Sequence, residues 1–237
     1  MRLLLLSNSA SEAGYLVHAL DWIRETLGDA RTVAFVPYAG VTISYGDYAD
    51  RVRENLAPLG LDIRSVHEDD APARAVSKAD AVLVGGGNTF QLLRLMYRRG
   101  LIEAIRKHVR QGCPYVGWSA GANVACPTIQ TTNDMPIVVP PTMDGMGLVP
   151  FQINPHYTDA APPGHRGETR AERIAEYVAA NPTDLVVGLP EGTGLSVRGT
   201  KVSVLGEPAV RLFTRTGPPQ GAETSGAYLS ELVTARR

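Results

Sequence analysis

Cysteine is nearly absent from this 237-residue chain, which holds only Cys113 and Cys126. Two thiols close at most one bridge, so a disulfide-stapled secreted scaffold is excluded and a reducing compartment, the cytoplasm, is expected. Neither cysteine stands at zinc-ligand spacing from a histidine, so no metal site is expected, and both read as small buried apolar residues. Charge of one sign is lacking as well. Twenty-three basic residues face 24 acidic ones, a formal net of -1, and no like-charge block marks a nucleic-acid or membrane surface. Long hydrophobic runs are also missing. Leu3 to Leu6 imitates a signal peptide, but the run stops at Ser7-Asn8-Ser9, short of the roughly 7–15 residues of an h-region. No run approaches a membrane span. A small partner fits these absences best.

What is present is an ordinary globular composition, 44% hydrophobic and 20% charged. Short, continuously apolar runs recur at Leu3 to Leu6, Thr32 to Val36, Ala81 to Val84, Tyr115 to Val116 and Leu185 to Val187, with a weaker one at Leu61 to Val66. Runs without in-out alternation are the mark of strands buried on both faces. Between them, Leu16-Leu20-Ile23-Leu27, Tyr45-Tyr48-Val52-Leu56 and Leu101-Ile105-Val109 repeat at helical spacing, and Ile174 with Val178 begin a fourth such face. This rhythm predicts an α/β fold, a mainly parallel sheet with helices on both faces, as one domain over residues 1–237. Thr128 to Gly167 is an irregular stretch holding seven of the 17 prolines; such length inside a compact domain points to function or disorder. Ser196 to Val197, Val202 to Leu205 and Ala209 to Phe213 predict a small antiparallel C-terminal extension. The tail beyond Pro218 fits no element.

Gly117-Trp118-Ser119-Ala120-Gly121 follows one buried strand and precedes a run of small residues. That is a nucleophile elbow: a strained serine between neighbours small enough to let strand and helix approach. Its hydroxyl would project from the carboxyl edge of the sheet, with the Ala120 N–H aimed at an oxyanion. Gly85-Gly86-Gly87-Asn88 follows a second strand but lacks the lysine and spacing of a phosphate loop. Beside the elbow, the Gly87 N–H would be the second oxyanion donor, and Asn88 is expected to bind substrate. A serine needs a base. His18 and His108 fall in helical patterns, His67 in an acidic loop and His165 in the long loop. His156, closing the apolar segment Phe151-Gln152-Ile153-Asn154-Pro155, is the base by elimination. The acid that orients it is Asp134 or Glu191, both in turn-rich segments, and spacing does not separate them.

Several motifs together carry a family likeness. Gly-Gly-Gly-Asn-Thr-Phe-Gln-Leu-Leu at 85–93, Gly-Trp-Ser-Ala-Gly-Ala-Asn at 117–123, Thr-Thr-Asn-Asp-Met-Pro at 131–136, Gln-Ile-Asn-Pro-His at 152–156, Gly-His-Arg-Gly-Glu-Thr-Arg at 164–170 and Gly-Leu-Pro-Glu-Gly at 188–192 closely resemble the peptidase E family. The match covers most of residues 1–192 and is poor at 67–80 and over the last forty or so. The resemblance implies a glutaminase-like, flavodoxin-related sandwich and a triad of Ser119, Asp134 and His156, with Glu191 as the second candidate acid. It implies cleavage of dipeptides after an N-terminal aspartate, without a cofactor, and Arg170 as the cation for the aspartyl carboxylate. The expected partner is a small peptide substrate; a homodimer is the assembly allowed for. The rival readings are an aminopeptidase or cyanophycinase-like enzyme of the same superfamily, and a non-catalytic binding protein on the same fold.

Overall fold

The computed structural model describes residues 1–160, 164, 166–216 and 226–235. The chain opens with β1 (Arg2–Leu6), a small hairpin of β2 (Ala10–Ser11) and β3 (Gly14–Tyr15), α1 (Leu20–Leu27) and β4 (Thr32–Val36). It continues through α2 (Tyr45–Leu56), β5 (Asp62–Ser65), α3 (Pro72–Lys78), β6 (Ala81–Val84), α4 (Thr89–Arg98), α5 (Leu101–Arg110), β7 (Tyr115–Trp118) and the one-turn α6 (Ala120–Asn123). After the long loop come β8 (Gln152–Tyr157), α7 (Arg170–Ala180), β9 (Val186–Pro190), β10 (Gly194–Arg198), β11 (Lys201–Leu205), β12 (Arg211–Phe213) and α8 (Gly226–Ala235).

The main sheet has seven strands in the order β11-β10-β1-β7-β6-β4-β5. Its five strands from β1 to β5 along that order are parallel; β10 and β11 extend it antiparallel. The apolar runs divide by alternation. Leu4, Leu6, Phe35 and Trp118 join a core with Ile23 of α1 and Val52 of α2. Leu3, Leu5, Val36 and Val84 face the other way, onto Leu92 of α4 and Ile105 of α5. A strand buried on both faces has no polar side to display, which is why these runs are unbroken.

A second sheet, β12-β9-β8, lies against that second face, its Ile153, Val187 and Leu212 belonging to the same core. Within it β8 and β9 are parallel and β12 is antiparallel to β9. The irregular stretch thus contains one ordered strand, the apolar segment before His156. Ser196 to Val197 and Val202 to Leu205 form the expected antiparallel edge, but the third segment departs from it. Arg211–Phe213 pairs with β9, whose open edge receives it in the second sheet. Leu16, expected within a helix, precedes α1 in the left-handed region at φ 59°. The tail that fitted no element holds α8, which packs Leu229 and Val233 into the core and caps Val202 N–H with Ser230 Oγ at 2.8 Å.

Candidate active site

β6 and β7 are parallel neighbours, Val84 opposite Gly117, so their turns emerge side by side at one sheet edge. Ser119 occupies φ 52°, ψ −113°, a strained position for a residue with a Cβ. The flanking glycines permit the turn: a Cβ on Gly117 would overlap Gly121 O, and one on Gly121 would overlap Val84 O. Gly87 stands at φ 133°, and a Cβ there would overlap the Ala39 carbonyl. Its N–H donates to none of the described residues. Ala120 is the first residue of α6, where the N–H has no partner inside the helix. The Gly87 and Ala120 N–H groups thus both lie, without a partner among the described residues, on the two turns at this sheet edge.

The imidazole arrives from the second sheet. The β8–β9 register slips between Pro155 and Tyr157, leaving His156 as the extra residue of a bulge at φ 54°. A bulge re-aims a side chain that the regular pleat would bury or direct elsewhere. His156 Nε2 lies 2.9 Å from Ser119 Oγ, and its Nδ1 lies 2.8 Å from Glu191 Oε1. Glu191 is in the turn between β9 and β10, two-thirds exposed at its side chain.

Asp134 sits elsewhere. Its Oδ2 accepts from Thr89 N–H at 2.7 Å, Thr89 Oγ1 at 2.6 Å and Thr132 Oγ1 at 3.2 Å, at the N-terminus of α4. A carboxylate there satisfies a free N–H and meets the positive end of the helix dipole. Asn88 is engaged too. It caps α4 by accepting from Gln91 N–H at 3.0 Å, and its amide donates to Met135 O at 2.8 Å. Together these bonds pin the 132–135 loop over the glycine cluster.

Two cavities meet at Asp134. One, of about 600 Å³, is bordered by Ser119, His156, Gly86, Gly87, Tyr15 and Arg51, among others. The other, of about 460 Å³, is bordered by Thr131, Asn133, Asn154, Arg170, Arg173 and Tyr177, among others. Arg170 opens α7 behind a Thr169–Glu172 capping box. Its Nη1 is buried without a hydrogen-bond partner among the described residues. Burial and then the neighbouring Arg173 lower its pKa from the ordinary arginine value. Arg173 is turned toward Glu168 at 3.8 Å, and Arg166 is exposed. His165 lies outside the described residues.

Two residues outside the expected site hold the halves together. Ser7 follows β1 and is fully buried. Its hydroxyl donates to Leu189 O at 2.7 Å and accepts from His156 N–H at 2.9 Å. Asn8 Oδ1 accepts from Gly192 N–H at 2.8 Å, beside Glu191. The available signal was their place: Ser7-Asn8-Ser9 follows a strand at the carboxyl edge, where α/β sheets put their sites. The remaining histidines serve other contacts. His108 Nε2 is 2.8 Å from Ala79 O, His67 Nδ1 is 2.6 Å from Ser65 Oγ, and His18 packs edge-on to Trp22. Neither cysteine is a rival nucleophile, since burial pushes both thiols up to about 12. Among the described residues no group of acidic, histidine and cysteine side chains could hold a metal, and no helix is long and apolar enough to cross a membrane.

Comparison with known proteins places this chain among its relatives. A sequence model of peptidase family S51 matches residues 3–205. Peptidase E of Pasteurella multocida is 50% identical over 215 residues, 90% of this chain and 92% of the relative. Peptidase E of Shewanella amazonensis is 46% identical over 234 residues, 98% and 99% of the two chains. In fold the chain is similar to a peptidase from an acI-B1 Actinobacterium, with a TM-score of 0.67 at 19% identity, covering 90% of this chain and 91% of that one. With the family model spanning most of its length and near-half identity to full-length relatives, this chain belongs to peptidase family S51.

Proposed function

We propose that the protein is a serine dipeptidase that cleaves after an N-terminal aspartate through an acyl-enzyme on Ser119. The observation that carries the chemistry is the hydrogen-bonded line from Ser119 Oγ through His156 to Glu191, 2.9 and 2.8 Å long. His156 Nε2 takes the hydroxyl proton as Ser119 Oγ attacks the aspartyl carbonyl, and the Gly87 and Ala120 N–H groups receive the oxyanion. The imidazolium, steadied by Glu191, gives its proton to the leaving amine as the C–N bond breaks. Water then attacks the ester by the same route, passing its proton through His156 back to Ser119. Glu191, rather than Asp134, is the orienting acid in this reading, because it alone of the two touches the imidazole.

Aspartate selectivity is assigned to the adjoining cavity. Arg170 offers a half-buried guanidinium whose inner nitrogen has no partner among the described residues, and a carboxylate there would satisfy it bidentately. Asp134, at the junction of the two cavities, has Oδ2 taken by three donors, and its Oδ1 is the acceptor we assign to the substrate's α-ammonium. Two unpaired cysteines favour the cytoplasm as the compartment.

The test is release of leucine from Asp-Leu, Glu-Leu and Ala-Leu. Wild type should prefer Asp-Leu, Ser119→Ala should cleave none, and Arg170→Ala should lose far more on Asp-Leu than on Ala-Leu. Serine-dependent cleavage of Ala-Leu in preference to Asp-Leu would keep the mechanism and overturn the specificity. A serine that also fails to react with a fluorophosphonate would overturn both.

A further inference from the structure

The cavity that holds Ser119 has a second charged wall, opposite in kind to Asp134. Arg51, on α2, is the one arginine or lysine bordering it among the described residues. Its guanidinium stands 5.9 Å from the centroid of the Tyr15 ring. Tyr15 in turn meets Trp118, the residue before the nucleophile, edge to face at 6.4 Å. Arg53, two residues along the same helix, pairs with Asp50 at 2.8 Å and Glu68 at 3.0 Å. Arg51 has no ion pair or side-chain hydrogen bond to any described residue. A guanidinium laid over an aromatic face is held in place while its N–H fork stays free for a planar anion.

We propose that Arg51 binds the C-terminal carboxylate of the dipeptide, and so restricts the enzyme to substrates with one residue after the scissile bond. The proposal rests on the dipeptidase reading above and extends it to the leaving side. In that reading Arg170 takes the aspartyl side chain from the far cavity, so the leaving residue extends into the cavity Arg51 borders. Its carboxylate follows the attacked carbonyl by a single residue, roughly 3.8 Å of chain. A longer peptide presents a neutral amide at that point, which forms no charge-assisted bond with the guanidinium. Tyr15, braced edge-on by Trp118, positions the cation, and exposed Val41 and Ile137, which also line the cavity, offer apolar surface to the leaving side chain.

The experiment compares kcat/KM for Asp-Leu and for Asp-Leu amide, by wild type, Arg51→Ala and Arg51→Lys. Wild type should favour the free acid by about tenfold or more, the scale of a charge-assisted bond. In Arg51→Ala that ratio should fall toward one, mainly through KM, and Arg51→Lys should restore part of it. A wild type indifferent to amidation overturns the proposal, as does a ratio that survives Arg51→Ala. An Arg51→Ala enzyme that loses acid and amide alike makes Arg51 a support for Tyr15 and overturns it too. Failure of the aspartyl reading looks different: wild type then prefers Ala-Leu, and the same ratio is read on Ala-Leu and its amide.

Discussion

The two halves of the site are built by different means. The half that carries Ser119, at the ends of β6 and β7, is shaped by the absence of side chains. Gly87, Gly117 and Gly121 sit where any Cβ would strike backbone, and the strained Ser119 lies between two of them. The half that carries His156, at the ends of β8 and β9, is held by polar side chains distant in sequence. Ser7 reaches across 182 residues to Leu189, and Asn8 across 184 to Gly192. The glycines that set the first half's shape cluster in two short segments and tolerate little. Polar stitching is encoded at long range, and each bond carries a modest share.

That contrast can be broken most sharply at the imidazole. Glu191→Gln should lower kcat by about 10⁴, the scale of losing the acid of such a triad, with little change in KM. Asp134→Asn should lower kcat far less and raise KM, since the carboxylate tethers a loop and borders both cavities. Steady-state kinetics on Asp-Leu decides between them: a large kcat loss for Asp134→Asn with none for Glu191→Gln would reverse the assignment.

The next effect belongs to the glycine half. Gly87→Ala puts a methyl against the Ala39 carbonyl at a backbone angle alanine resists, displacing the N–H proposed to receive the oxyanion. The expected loss is about 10²–10³ in kcat, with fluorophosphonate labelling of Ser119 slowed in parallel. Undiminished turnover would remove Gly87 from the oxyanion site.

The smallest effect, and the one that most sharpens the comparison, is Ser7→Ala. It leaves the His156 N–H and the Leu189 carbonyl without a buried partner, a cost of about 1–3 kcal/mol in denaturant unfolding. Activity should fall about tenfold through a misplaced imidazole, in keeping with the sensitivity of catalysis to small displacements. Stability lost with full activity retained would make Ser7 a structural residue only.

Much of this is legible in the sequence. The apolar runs located the buried strands because a strand covered on both faces must be apolar throughout. The elbow was readable because its steric demand falls on adjacent residues, Gly117 to Gly121. His156 could be reached by elimination, but not the bulge that turns its ring toward Ser119. The second sheet was not foreseen, since β12 pairs with β9 across a return of the chain that no local pattern records. Asp134 and Glu191 looked alike as turn carboxylates, and only their neighbours separate them: Thr89 and Thr132 for one, His156 for the other.

The sequence by itself determined the α/β class, the elbow, the glycine cluster and a list of candidate residues, because side-chain size and strand burial act over a few consecutive positions. Tertiary structure alone decided which acid meets the imidazole, that Asn88 caps a helix, that Ser7 and Asn8 join the two sheets, and that Arg51 shares a cavity with Ser119. Those outcomes depend on which strand ends become neighbours, and distance along the chain carries no record of that.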